Sequence, residues 1–163
     1  QRRLNEMHVR FSQRIVDIKA RRIHPDIALA FNKELDARTK RKFPIFDVLS
    51  SMLLPAIDKV AIKIGFAQAA VDHAGIACLL ELHKLEHEIY PAKLIDLKTS
   101  PPNDPYNGKP YVYKPDGKDR YQLYGIGWNQ KSDDGKVIKG SDHPILDKGD
   151  LVWSYSPQAL KGE

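Results

Sequence analysis

Residues 111–124 decide the fold that we predict for this chain. They read Tyr111-Val112-Tyr113-Lys114-Pro115-Asp116-Gly117-Lys118-Asp119-Arg120-Tyr121-Gln122-Leu123-Tyr124. Aromatic and β-branched side chains at both ends are typical of strands. The Pro-Asp-Gly-Lys segment between them is typical of a turn, because proline presets one backbone dihedral and glycine accepts a positive φ. The stretch therefore predicts an antiparallel hairpin.

The segments on either side of this hairpin complete the predicted fold class. Residues 151–155 read Leu-Val-Trp-Ser-Tyr and predict a third strand, which follows a long polar loop over 129–149. Upstream, apolar residues recur at helical spacing from about 47 to 90. Charges thin over 61–80, which predicts a helix buried on more than one side. The fold class is therefore α+β, with a long helix packed on a small three-stranded antiparallel sheet.

The first part of the chain predicts additional N-terminal helices. Apolar residues step by three and four over about 2–22, which indicates an amphipathic helix: Leu4, Met7, Phe11, Ile15 and Ile18. A break at His24-Pro25-Asp26 precedes a second helical segment through Ile27 and Leu35. We expect residues 1–46 to form a helical extension and residues 47–163 to form the α+β domain.

Composition and charge exclude several classes of protein. The 163 residues are 42% apolar and 29% charged, which excludes wholesale disorder, and no apolar run is long enough to span a bilayer. Residues 1–63 carry a net charge of +7 and residues 64–163 a net charge of −2. A basic binding module over 2–42 is therefore one alternative, but no stacking aromatic residues accompany the cations, and we expect no nucleic-acid partner. The single cysteine, Cys78, lies among apolar residues and is expected to be buried.

An ordered set of short motifs between about residues 54 and 155 resembles the major pseudopilins of type II secretion and related type IV pilin-like domains. The matching pieces are Glu88-Ile89-Tyr90-Pro91, Asp104-Pro105-Tyr106-Asn107-Gly108-Lys109-Pro110-Tyr111-Val112-Tyr113, Tyr121-Gln122-Leu123-Tyr124-Gly125-Ile126-Gly127 and Gly149-Asp150-Leu151-Val152. The resemblance implies a non-enzymatic structural or interaction domain in the bacterial periplasm or cell envelope. Its partners would be other proteins or further copies of itself.

The resemblance does not extend to the hydrophobic N-terminal helix and prepilin-peptidase signal of that family. Basic, amphipathic sequence stands there instead. We therefore expect membrane proximity only through a segment upstream of Gln1.

An acidic loop before the last strand predicts a calcium site. Five carboxylates fall within 18 residues, mixed with glycines: Asp133, Asp134, Asp142, Asp147 and Asp150. Calcium binds six to eight oxygens, which one flexible loop can supply. The resemblance implies calcium in the same loop. The alternative is an ordinary polar loop whose lysines neutralise the acids.

A pair of histidines near the end of the long helix predicts a rival function. His83 and His87 are four residues apart and so share one helix face, as zinc-binding histidines do. The glutamate that acts as general base in His-Glu-x-x-His sites is replaced by Lys84. A third ligand would have to come from His73 or His143. This pattern predicts a metal-dependent hydrolase, against the simpler interpretation of a solvated helix end.

Overall fold

The computed structural model describes residues 14–39, 45–140 and 144–155. Two α-helices lie in these ranges, α1 at Pro25–Thr39 and α2 at Ile45–His87, with a short 3-10 helix at Leu94–Asp96. The strands in the same ranges are β1 Val16–Asp17, β2 Arg22–Ile23, β3 Val112–Asp116, β4 Arg120–Gly125, β5 Val137–Lys139, β6 Pro144–Gly149 and β7 Leu151–Tyr155. The chain is thus α+β, with one long helix and small antiparallel sheets.

The structure divides into two compact units, one up to Gly65 and the other from Phe66, so their boundary falls inside α2. The predicted boundary at residue 46 stays a prediction. In the first unit, α1 confirms the second predicted helix. Pro25 occupies its first position, where the missing N–H is not needed.

The helix predicted over 2–22 is wrong for its last third. β1 and β2 form an antiparallel hairpin there, with Val16 opposite Ile23. Asp17 Oδ1 accepts a hydrogen bond from the Ala20 amide at 2.9 Å, which closes the turn. Ile18 lies exposed in this turn. Its place in the helical spacing therefore did not mark a buried face, and residues 2–13 of that prediction lie outside the described ranges.

The second unit contains the predicted three-stranded sheet, in the order β3-β4-β7 with both pairs antiparallel. Leu123 on the central strand lies opposite Tyr113 on one side and Trp153 on the other. The buried core combines this sheet with α2 and the segment that follows it; its members are Ile76, Leu80, Tyr90, Leu94, Leu97, Tyr111, Tyr121 and Leu123. Packing of the helix on the sheet is therefore confirmed.

Asp104 fixes the loop that leads into β3. Its Oδ1 accepts a hydrogen bond from the Tyr106 amide at 2.8 Å and its Oδ2 accepts one from the Ile126 amide, also at 2.8 Å. Gly125 allows this approach, because a Cβ there would lie 2.7 Å from both Asp104 Oδ2 and the Tyr111 ring. One buried carboxylate thus joins the loop before β3 to the residue that follows β4.

Two further predictions about this unit are corrected by the structure. The segment 129–149 is not a plain loop, since β5 and β6 pair antiparallel within it, with Val137 opposite Gly149. The apolar pairs Val137-Ile138 and Ile145-Leu146 are too short to stand out as strands among the surrounding charges. The helix over 61–80 is buried on one side only, and Cys78 is exposed rather than buried. The small residues of this segment account for its low charge, but the side of the helix that they occupy is exposed.

Candidate functional site

Asp150 is the centre of the acidic loop. Only 2% of this residue is exposed, and the amides of Asp133 and Gly135 donate hydrogen bonds to its Oδ2 at 2.9 and 2.7 Å. Its other oxygen, Oδ1, is buried and has no hydrogen-bond partner. Burial raises the pKa of the Asp150 carboxyl above its usual range, and the charges of Asp133 and Asp134 raise it further. A buried, half-satisfied carboxylate of this kind is a natural ligand for a cation.

The other predicted calcium ligands are distributed unequally around Asp150. Asp133 and Asp134 belong to the same turn, and Asp133 accepts a hydrogen bond from the Asn129 side chain at 3.3 Å. Asp147 lies exposed on β6, and Asp142 is outside the described residues. Within the parts that the structure describes, no three His, Cys, Asp or Glu side chains converge into a group that could hold a metal ion. A calcium ion here would therefore need carbonyl oxygens in addition to Asp150.

Lys114 is a charged neighbour that the sequence did not indicate. It comes from β3, and its ammonium group lies 5.1 Å from the centre of the Tyr124 ring. Hydrogen bonding to Tyr124 raises the pKa of Lys114, and the carboxylates of Asp134 and Asp150 raise it further. Strand pairing brings this cation to the loop, so no motif in the chain could have revealed it. Lys114 therefore contributes positive charge close to the acidic loop.

The two histidines of the hydrolase hypothesis do lie together. Their ring centres are 4.4 Å apart. Glu86 lies 3.8 Å from His87 Nε2, but it also pairs with Lys98 at 2.8 Å. His143 lies outside the described ranges, and His73 is buried elsewhere on the helix. The described residues thus bring no third ligand to this pair.

His73 belongs to a buried polar layer between α2 and the sheet. Its neighbour Asp72 accepts hydrogen bonds from Gln68 Nε2 at 2.9 Å and from the Tyr111 hydroxyl at 3.1 Å. The His73 ring packs edge-on against the Tyr111 ring, with 4.7 Å between the centres. Its Nε2 is buried without a hydrogen-bond partner, and burial lowers the pKa of His73 from 6.5 to about 4. The imidazole is therefore neutral and structural at pH 7.

The outer face of α2 is the side of the helix opposite this layer. We define it as Ala67, Val71, Ala74, Cys78, Leu82 and Leu85, which recur at intervals of three and four. All six are exposed, and the exposed fraction reaches 66% at Val71, 57% at Leu82 and 80% at Leu85. Gly75 lies beside them, and a Cβ added to it would have no atom within 4 Å. This is a continuous apolar surface without a covering element in the described structure.

Neither helix, over the residues described, is both long enough and apolar enough to cross a membrane. No protein-family model, curated protein or solved structure matches the chain.

Proposed function

We propose that this chain is a non-enzymatic structural or interaction domain of the bacterial cell envelope or periplasm, related in design to pilin-like domains. It binds other protein through the outer face of α2. The observation that carries this proposal is the exposed apolar face itself, which runs over about five helical turns from Ala67 to Leu85. Contiguous apolar patches on proteins in water usually mark sites of association.

The inner side of α2 is packed against the sheet. This packing favours a binding role for the outer face over the interpretation that the helix is only loosely held. Ile76 and Leu80, on the inner side, are completely buried against the sheet. Tyr90 also donates a hydrogen bond to Glu81 at 2.6 Å, which ties the last turns of the helix to the core. The helix backbone that carries the outer side chains is therefore held in place, and a partner need not order the helix on binding.

Photo-crosslinking from single positions tests this function. A photoreactive amino acid replaces Leu85, which is 80% exposed on the outer face, or Ile95, which is 84% exposed on the short 3-10 helix. In the cells that produce the protein, we expect a discrete protein adduct from position 85 and none from position 95. Equal adducts from both positions, or none from either, would contradict the proposal.

Within the same proposal, calcium stabilises the acidic loop. Asp150 is the residue that would hold the ion, with Asp133 and Asp134 beside it, because its Oδ1 is buried and unsatisfied. A bound calcium ion would supply the positive charge that offsets the repulsion among these carboxylates. If no ion binds, the Lys114 ammonium group would supply part of that charge instead.

Thermal unfolding with calcium and with chelator distinguishes these two possibilities. Extracellular calcium modules bind with dissociation constants of about 0.1–1 mM, so a tenfold excess would stabilise the fold by about 1.4 kcal/mol. We expect this increase in Tm to vanish in Asp150→Asn and to persist in Asp147→Asn, whose carboxylate is exposed on β6. If calcium leaves the Tm of the unmodified protein unchanged, the calcium hypothesis is rejected and Lys114 remains the counter-charge.

A further inference from the structure

We propose that His83 and His87 form a binding site for Cu²⁺ on the last turns of α2, with the two imidazoles as protein ligands and water in the remaining positions. This inference goes beyond the proposed function, because the site uses no residue of the outer face and none of the acidic loop. The observation that carries it is the close pairing of the two rings, whose centres are 4.4 Å apart.

The two histidines lie where α2 extends past its buried part. Ile76, Leu80, His83 and His87 follow one another at steps of four, three and four, so they lie along one line of the helix surface. The first two are completely buried, whereas His83 is half-buried and the side chain of His87 is 53% exposed. Along this line, apolar side chains therefore give way to imidazoles at the point where water and an ion can reach them.

The last turn of α2 is held in place before any ion binds. Glu88, which follows the helix, has a φ of 64°, and its amide donates a hydrogen bond to the Lys84 carbonyl at 2.7 Å. A left-handed residue with this bond is a common way for a helix to end. The Lys84 ammonium group also pairs at 2.6 Å with Asp119, in the turn between β3 and β4. An ion would therefore order side chains only, which lowers the cost of binding.

The distance between the rings suits a shared ion. Because a histidine nitrogen lies about 2.0–2.1 Å from the metal that it binds, two imidazoles in adjacent positions on one ion have ring centres about 4.5–5 Å apart. The observed separation of 4.4 Å is close to this range. Small rotations of the two side chains would therefore bring one nitrogen of each ring to the same ion.

The number of protein ligands favours copper over zinc. Zinc sites in proteins usually have three or four protein ligands, whereas the described residues bring no third ligand to this pair. Cu²⁺ accepts a tetragonal set of nitrogen and oxygen ligands, and it binds a given site more tightly than the other divalent first-row ions. Lys84 stands where hydrolases of the His-Glu-x-x-His kind have their glutamate, so we assign binding to this pair and no catalysis.

Glu86 places a negative charge beside the pair. One of its carboxylate oxygens lies 3.8 Å from His87 Nε2. The same carboxylate pairs with Lys98 at 2.8 Å, and hydrogen bonding to Lys98 lowers the pKa of Glu86 below its usual range. The last carbonyl groups of a helix also carry partial negative charge, which attracts cations. Glu86 and the helix end therefore favour a cation here, while Lys98 opposes it.

Copper titration tests the site. Competition with glycine measures the dissociation constant, in a Cys78→Ser background that removes an exposed thiol as a competing ligand. We expect one Cu²⁺ per chain and, without competitor, an electron paramagnetic resonance spectrum that shows two coordinated nitrogens. His83→Gln and His87→Gln should each weaken binding by at least about tenfold, because each removes one of two ligands that act together.

The spacing of the histidines provides the matched control. His87→Gln combined with Leu85→His keeps the number of imidazoles but sets them two residues apart, where they do not face each other. Leu85 is 80% exposed, so circular dichroism should show unchanged folding. This double variant should bind as weakly as His87→Gln. Recovery of tight binding in it, tight binding that survives either glutamine substitution, or no copper binding by the Cys78→Ser chain would each overturn the proposal.

Charge variants beside the pair provide a second test that keeps both imidazoles. Glu86→Gln should weaken copper binding and Lys98→Gln should strengthen it, each about two- to threefold at low ionic strength. Both shifts should shrink as salt is added, because the two side chains are largely exposed to water. Shifts of the same sign in the two variants would place the ion away from Glu86 and overturn the site.

Discussion

The two sides of α2 have similar apolar content but opposite environments. On the inner side, Ile76 and Leu80 are fully buried against the β3-β4-β7 sheet, together with Asp72 and His73. On the outer side, leucine, valine, alanine and cysteine side chains are exposed. The difference lies in what the neighbouring strands cover. The apolar content of one side of this helix therefore does not indicate whether that side is buried. The ionisable residues Asp72 and His73 lie on the inner side.

The largest expected effect is a difference in the free energy of unfolding between alanine variants of Leu80 and Leu82, which are two residues apart in α2. Leu80→Ala removes a side chain with 0% exposure and leaves a cavity, so it should lower the free energy of unfolding by about 2–5 kcal/mol. Leu82→Ala, on the outer face, should change it by less than about 0.5 kcal/mol. Urea unfolding at low protein concentration measures both. Similar losses in the two variants would contradict the assignment of the faces.

Acidification should weaken the inner side through His73. Its pKa is about 4 in the folded chain and 6.5 as the ordinary value, so between these pH values the unfolded chain binds a proton that the folded chain does not. The contribution of His73 to stability should therefore fall as the pH drops from 6.5 to 4, with a loss of ~3 kcal/mol and no further loss from this residue below pH 4. Urea unfolding across this range measures the loss.

The groups that face His73 define the control for that experiment. They are Asp72 on the same helix, whose charge favours protonation, and the Tyr111 ring from the segment before β3. His73→Gln should remove the loss between pH 6.5 and 4, whereas His83→Gln, away from the buried layer, should retain it. If His73→Gln fails to fold, His73→Leu serves the same purpose. A pH profile that is identical in both His73 variants and the original chain would reject the role of His73.

The hydroxyl of Tyr111 makes a smaller contribution to stability within the same buried layer. Tyr111→Phe removes its hydrogen bond to the buried Asp72 carboxylate and should destabilise the chain by about 1–3 kcal/mol. Tyr113→Phe is the matched control. Its hydroxyl donates to the Pro91 carbonyl at the same distance of 3.1 Å, but in a partly exposed position, and it should cost less than about 1.5 kcal/mol. A larger loss at Tyr113 would show that the polar layer is not what holds the helix to the sheet.

Much of the second unit could be predicted from local chemistry. The Pro-Asp-Gly-Lys turn and its aromatic flanks determined the β3-β4 hairpin, although Pro115 and Asp116 extend β3 into the predicted turn. The third strand was clear because Leu151–Tyr155 contains neither charge nor glycine. The β5-β6 hairpin was missed, since β5 has only three residues and is exposed along its whole length, which leaves no alternation to detect.

The candidate sites depend on contacts between distant residues, and these were less predictable. Asp150 was included among the acidic residues, but its buried and unsatisfied oxygen follows from the turn that wraps it. Lys114 approaches that turn only because β3 pairs with β4. The outer face of α2 was missed for a related reason, since residue spacing marks an apolar side but not whether a strand lies against it.

The smallest predicted effect concerns Gly75, which lies beside the outer face. Glycine within a helix is less stable than alanine by roughly 0.5–1 kcal/mol, because it loses more backbone freedom on folding. Gly75 lies in α2 and an added Cβ would have no atom within 4 Å, so nothing within the single chain requires glycine there. Gly75→Ala should therefore raise the free energy of unfolding by that amount when measured in dilute solution. Gly125→Ala is the opposite control, because its Cβ would lie 2.7 Å from the Asp104 carboxylate and the Tyr111 ring, and it should be destabilising. A loss of stability in Gly75→Ala would mean that the outer face is covered in the single copy, which would remove the basis for a partner there.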